Sequence, residues 1–243
     1  MKALVFAAGL GTRLRPLTDD RPKALVPLAG GTLLSAVIAR LKACGVDEFV
    51  INLHHFAPKV LDYLAQNGNF GTDIKVSVEE DRPLETGGGM RKAAPLLRGD
   101  GHFLVHNVDI ISNLDIPRFV ASARPEALST LLVSPRETSR YLLFDDDMRL
   151  RGWTNVSTGE VRTPFADLDV SACRKFAFGG IHYVSDRMLD LMEDWPEAFP
   201  IMDFYLKVAA DEPVYGYVSE DLKLIDVGKI ETLRQAEEFY STL

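Results

Sequence analysis

Along the first half of the chain, short apolar runs alternate with segments whose apolar positions follow helical spacing. Ala3–Ala8, Phe49–Leu53, His102–His106 and Ser129–Val133 are mostly apolar runs of strand length, and Ile74–Val78 alternates apolar with polar as a half-buried strand does. Between the first two runs, Leu33-Leu34, Val37-Ile38 and Leu41 recur at i, i+3 and i+4, predicting a helix that ends near Gly45. Residues 57–67 repeat the spacing through Val60, Leu61 and Leu64, and Gly68 closes the segment. This alternation predicts an α/β fold, a Rossmann-like, mostly parallel mixed sheet with helices on both faces.

The pattern changes after about residue 134. Tyr141–Phe144, Leu150–Trp153 and Ile181–Val184 read as shorter strands joined by turns such as Asp145-Asp146-Asp147. Helical spacing returns over Met188–Trp195 and Asp203–Ala210. Val214–Val218 reads as a last strand ahead of Lys223–Val227, and Ile230–Tyr240 as a closing helix. No repeat, low-complexity tract or Pro/Gly/Ser-rich linker divides the chain. One domain over residues 1–243, more β-rich in its second half, is therefore expected.

Composition narrows the function classes. Of the 243 residues 47% are apolar and 26% charged, ordinary values for a globular protein. The net charge of −8 argues against the basic surface that nucleic-acid binding requires. Two cysteines, Cys44 and Cys173, supply neither a disulfide framework nor metal-ligand spacing. The first apolar run is too short for a secretory signal, and no stretch approaches the roughly 20 residues of a membrane span. The expectation is a cytoplasmic protein with neither nucleic acid nor membrane as partner, a monomer or a small homo-oligomer.

Against that acidic background one segment is cationic. Gly9 and Gly11 follow the first strand, and Arg13, Arg15 and Lys23 come within the next dozen positions. Glycines there let main-chain N–H groups approach a polyphosphate, and the cations match its charge. A dinucleotide fingerprint fails because Leu14 stands where the third glycine belongs, and no Walker A sequence is present. The stretch Ala7–Leu28 instead resembles the signature of the sugar-1-phosphate nucleotidyltransferases, G-x-G-[ST]-R-L-x-P-L-T followed by P-K-x-L-x-P. It matches at Gly9, Gly11, Thr12, Arg13, Leu14, Pro16, Leu17, Thr18, Pro22, Lys23, Leu25 and Pro27.

The resemblance extends further. Leu84-Glu85-Thr86-Gly87-Gly88-Gly89 is similar to the family's glycine-rich turn into a helix, His106-Asn107-Val108-Asp109 to its strand-end aspartate, and Ile225-Asp226-Val227-Gly228 to its W-x-D-[VI]-G motif, with Leu224 near the place of the tryptophan. It implies the nucleotide-diphospho-sugar transferase fold, with nucleotide binding over residues 1–134 and sugar and metal binding over 135–243. By the same resemblance, Arg13 and Lys23 are catalytic, Asp109 and Asp226 hold Mg²⁺, and Ala8, Gly9, Gly11, Thr12, Glu85, Thr86 and Gly87 bind the nucleotide. Gly88, Gly179 and Gly180 would approach the sugar, and Asn155 and Asp203 would recognise its hydroxyls. The family's glutamate-lysine-proline triplet is missing; residues 153–160 stand in that region. His54-His55 reads as a helix entry and not a metal pair, because adjacent residues at a strand end point apart. The acidic runs Asp145–Asp147 and Glu79–Asp81 read as solvated turns.

The implied reaction joins a nucleoside triphosphate, UTP being favoured, to a sugar 1-phosphate, with release of pyrophosphate. The compact uridylyltransferases of N-acetylmuramate 1-phosphate are the most similar members. Two alternatives share the core: a phosphocholine cytidylyltransferase, and a non-catalytic nucleotide-sugar sensor. Retention of Arg13, Lys23, Asp109 and Asp226 favours an enzyme.

Overall fold

Each apolar run of the first half becomes a strand of one sheet because both of its faces have a helix to bury against. A computed structural model describes residues 1–243. The strands are β1 (Lys2–Phe6), the short pair β2 (Pro27–Leu28) and β3 (Gly31–Thr32), β4 (Glu48–Leu53), β5 (Asp73–Val78), β6 (His102–Asn107), β7 (Ile110–Ser112) and β8 (Ser129–Ser134). The second half adds β9 (Arg140–Phe144), β10 (Leu150–Asn155), β11 (Glu160–Arg162), β12 (Arg174–Ser185), β13 (Val214–Val218) and β14 (Leu224–Asp226). The helices are α1 (Leu33–Ala43), α2 (Ala57–Gln66), α3 (Glu85–Leu97), α4 (Ile116–Ala121), α5 (Arg187–Leu191), α6 (Ile201–Val208) and α7 (Ile230–Tyr240).

The main sheet has ten strands, ordered β11-β10-β9-β12-β6-β1-β4-β5, with β8 on β12 and β13 on β8. Strands β6, β1, β4 and β5 are parallel, whereas β12 and the hairpins beyond it are antiparallel. Alternation along β1 divides the core. Ala3 and Val5 pack with α1, α2, α4 and α7, while Leu4 and Phe6 pack with α3, α5 and α6. Both faces are thus covered, as the alternating pattern predicts.

Strands β9, β10 and β12 are longer than their apolar runs suggest, whereas β13 matches its run. Ile181–Val184 is the end of the twelve-residue β12, whose register against β8 shifts between Phe178 and His182. The helix expected over Met188–Trp195 stops at Leu191, and Trp195 turns onto the rings of Phe199 and Phe204. Short elements not marked by periodicity include β7 and α4. The first matters for the site, because β7 pairs antiparallel with β14 and sets Asp226 opposite Ile110. No helix is long and apolar enough to cross a membrane.

Candidate active site

The loop after β1 is built to hold one shape. Ala7 N donates to Asn52 O at 3.0 Å, which carries the chain past the end of β4. Gly11 has φ +64, in the left-handed region where a side chain is strained, and an added Cβ would lie 3.0 Å from Thr18 Cγ2 and 3.1 Å from Lys23 Cβ. The hydroxyl of Thr18, itself buried, donates to Gly11 O at 2.8 Å. The glycine, threonine and lysine of the signature therefore interlock.

The loop faces the carboxyl ends of β1 and β6, where an open α/β sheet leaves a crevice. A cavity of about 440 Å³ opens there, lined by Gly9, Gly11, Thr12, Arg13, Lys23, Thr86 and Asp109 together with Phe6, Leu10, Leu14, Asn107, Val108 and Gly228. Lys23 is buried, and its Nζ donates to Asp109 Oδ2. Arg13 lies over Gly228, where a Cβ would come within 3.1 Å of the guanidinium. Beside it, a second cavity of about 200 Å³ is lined by Ala8, Gly9, Leu10, Phe6, Asn52, Glu79, Pro83, Glu85 and Thr86. A cavity lined by Arg13 and Lys23 thus adjoins a smaller, less polar one, with Gly9 and Thr86 on their shared wall.

Asp226 reaches the group through the β7–β14 ladder and through Val227 N, which donates to Asp109 O at 2.9 Å. It lines neither cavity, and one side of it opens to solvent. Protein packed on its other side, and then the charge of Asp109, push its carboxyl above the usual range; Lys23, Arg13 and Arg136 pull the other way. Two carboxylates close enough for the charge of Asp109 to raise the Asp226 carboxyl are a hard-oxygen donor pair suited to a divalent cation whose remaining ligands are water and phosphate. No third acidic, His or Cys side chain joins them.

Other expected site residues sit elsewhere. The amides of Gly87 and Gly88 both donate to Phe199 O, at 2.8 and 3.2 Å, so neither is free for a ligand. A Cβ on Gly87 would meet the Phe199 ring at 2.2 Å, and one on Gly88 would meet Glu197 O at 2.2 Å. Gly87 and Gly88 are therefore required by a packed strap over residues 197–200, whereas Gly89 abuts Glu79 and Asn52. Asn155 closes the β10–β11 turn, its Oδ1 accepting from Ser157 N at 3.0 Å. Asp203 is paired with Arg162 at 2.7 Å. Neither lines the two cavities described above. Gly179 and Gly180 form the shift in β12; Gly180, at φ +73, abuts Asn107 and Ile110, and Gly179 abuts Leu132.

Sequence reasoning also misplaced Glu79. It is not in a solvated turn but buried, accepting from Asn52 Nδ2 at 2.8 Å and from Leu84 N at 2.7 Å beneath the smaller cavity. A carboxylate just after a strand and just before a helix looks like a turn residue until the helix folds over it. Gly228, the last residue of a matched motif, was the findable omission.

An α/β sheet with a glycine loop, two cations and two carboxylates at its strand ends defines a nucleotide-dependent transferase. The comparisons agree: residues 2–144 match the family described as Nucleotidyl transferase. N-acetylmuramate alpha-1-phosphate uridylyltransferase of Caulobacter vibrioides is 33% identical over 231 residues, covering 90% of this chain and 89% of that protein. The Neisseria meningitidis serogroup B protein of the same name is 41% identical over 134 residues, 54% of this chain and 58% of that one. A crystal structure of a putative glucose-1-phosphate thymidylyltransferase from Bacillus anthracis superposes with TM-score 0.82 at 17% identity, covering 100% of this chain and 96% of that one, and so supports the fold. The chain belongs to the sugar-1-phosphate nucleotidyltransferase family.

Proposed function

We propose that the protein transfers a uridylyl group from UTP to a sugar 1-phosphate, with N-acetylmuramate 1-phosphate the first acceptor to test. The observation that carries this reading is the single cavity where Arg13, Lys23 and Asp109 converge beside a base-sized pocket. One relative of that name is 33% identical over 90% of this chain and another is 41% identical over 54% of it, which supports the uridylyl reading.

The attacking group is a phosphate oxygen of the acceptor, already ionised near neutral pH, so the reaction requires no general base. Its bond to the α-phosphorus of UTP forms as the α–β bridge breaks, and pyrophosphate carries away the electron pair of that bond. The barrier is the approach of two anions, which positioned cations lower. Arg13 holds the β- and γ-phosphates. Lys23, anchored on Asp109, presents its ammonium to the α-phosphoryl oxygens. Asp109 and Asp226 hold a divalent cation, Mg²⁺ by preference, which supplies Lewis-acid stabilisation of phosphate charge when bound. Gly9 and Gly11 leave room for main-chain approach, and the smaller cavity receives the base.

Pyrophosphate release from a panel of nucleoside triphosphates and sugar 1-phosphates, with Mg²⁺ present, tests the reading. Release is expected with UTP and N-acetylmuramate 1-phosphate and is expected to cease with chelator. Release with another base only would overturn the uridylyl assignment, and release with another sugar only would overturn the acceptor.

A further inference from the structure

Three cations pull on the Asp226 carboxyl, and the reaction described above uses only two of them. Lys23 and Arg13 belong to the first loops of the chain; the third is Arg136. Its place follows from the direction of the strands. Strand β12 runs antiparallel to both β6 and β8, so β8 runs the same way as β6 and β1. The carboxyl ends of all three strands therefore lie on one side of the sheet, the side where an α/β fold gathers its ligands. Arg136 stands two residues beyond the end of β8, as Asp109 stands two beyond the end of β6.

The register shift in β12 joins Arg136 to the site. Arg136 Nη2 donates to Phe178 O at 3.3 Å, at the start of that shift. Two residues on, Gly180 abuts Asn107, which lines the cavity, and Ile110, which pairs with Asp226. Arg136 itself is exposed and lies outside the cavity that Arg13 and Lys23 line. Phe178 O is the one protein acceptor its guanidinium meets, and no carboxylate neutralises it.

We propose that Arg136 holds a carboxylate carried by the sugar of the acceptor, and so selects an acidic sugar 1-phosphate over its neutral counterpart. The forked N–H groups of a guanidinium match the two oxygens of a carboxylate in parallel hydrogen bonds. The reacting phosphates have their cationic partners inside the cavity, at Arg13 and Lys23. An anion that meets Arg136 lies further out, on the part of the acceptor remote from the α-phosphorus. N-acetylmuramate has such a group, because its lactyl ether ends in a carboxylate that N-acetylglucosamine lacks. Arg136 is thus a specificity residue, and it comes from the second half of the chain.

The inference rests on the transfer reaction proposed above, and a comparison of two acceptors tests them separately. Pyrophosphate release is followed with UTP, Mg²⁺ and either N-acetylmuramate 1-phosphate or N-acetylglucosamine 1-phosphate. The unaltered protein is read first. If neither acceptor supports release, the proposed function falls and this inference with it; if both are used equally well, the function stands and the selection by Arg136 is overturned. A preference for the muramate acceptor is expected. Arg136→Ala is then expected to raise KM for that acceptor about tenfold, the scale of one charge-assisted hydrogen bond, with kcat and the KM for UTP within about twofold. The KM for the glucosamine acceptor is expected to stay within about twofold; where that acceptor is too slow to follow, its inhibition constant against the muramate substrate takes the place of KM. Arg136→Lys keeps the charge without the fork and is expected to fall between the two proteins. An equal rise for both acceptors would move Arg136 onto the phosphate and overturn the carboxylate assignment. An unchanged KM for the muramate acceptor, or an equal rise in the KM for UTP, would overturn the contact altogether. Circular dichroism melting of each variant confirms that the fold is retained, and a loss seen only in an unfolded Arg136→Ala is decided by Arg136→Lys: wild-type KM for the muramate acceptor in that variant overturns the role of the fork.

Discussion

Lys23 sits where removal of one side chain has two consequences. It is buried with its ammonium on Asp109, so Lys23→Ala takes away a charge from the reacting phosphate and leaves that carboxylate unpartnered. Turnover is expected to fall by at least ~10² with the circular dichroism spectrum retained, the scale for losing one charge-stabilising donor. Near-unaltered turnover would remove Lys23 from the chemistry. Glycines of the two loops should answer differently to the same change. Nothing lies within 4 Å of a Cβ built on Gly9, whereas on Gly87 it would overlap the Phe199 ring. Gly9→Ala is expected to shift stability by less than ~0.5 kcal/mol. Gly87→Ala gains helix propensity but displaces the strap, and a net loss of ~1–3 kcal/mol is expected in a denaturant titration. Equal stability of the two variants would refute the packing role given to Gly87.

At the scale of elements, the β7–β14 ladder and the strap do what local sequence does not announce. Asp109 and Asp226 lie 117 positions apart, and a ladder of three paired residues joins them. Each strand is too short to show periodicity, so the pairing was legible only through the resemblance of the flanking motifs. The β10–β11 hairpin shows the opposite case. Its turn carries Asn155, whose polar side chain invites a binding role but serves the backbone of Ser157. Asn155→Ala is expected to leave the KM for sugar 1-phosphate within about twofold while lowering the melting temperature slightly, since a turn hydrogen bond is worth roughly 1 kcal/mol. A large rise in KM at unchanged melting temperature would return Asn155 to the sugar site.

Across the whole molecule, the core holds polar groups that constrain stability against pH. His106 and His182 are both buried, and burial depresses their pKa to about 4 and about 3. His182 Nδ1 meets Tyr205 Oη at 2.5 Å, and Tyr205 in turn meets Ser129 Oγ at 3.0 Å, so α6 is tied to β12 and β8. In the unfolded chain a histidine titrates near ~6.5. Above that pH both states are neutral and the histidines carry no penalty. Below it the unfolded chain binds protons that the folded chain refuses, so stability falls as pH drops from ~6.5 toward the folded values. Asp226, whose carboxyl is raised, works in the opposite sense, because the folded state takes up its proton first as pH falls. Two histidines outweigh one carboxyl, and the urea midpoint is expected to decline steadily from pH 7 to pH 5. A flat profile would show that the histidines are not held neutral.

Much of this protein was determined by the sequence alone: the paired faces of β1, β4 and β6, the helices α1, α2 and α7, and the cationic glycine loop. These follow from local patterns, because side-chain periodicity and the steric freedom of glycine act over a few residues. The ends of Val214–Val218 and Ile230–Tyr240 agree with the structure to the residue. Tertiary structure decided the rest. It buried Glu79 and gave the Gly87 and Gly88 amides to Phe199. It tied Asn155 to the turn backbone and Asp203 to Arg162, and it set the Ile201 N–H on Thr86. Asn155 answers to a neighbour two residues on, but for Asp203, Thr86 and the Gly87 and Gly88 amides the partner lies far along the chain. Whether a hydrogen-bonding group serves the fold or faces a ligand is set by what packs against it, and sequence proximity does not encode that.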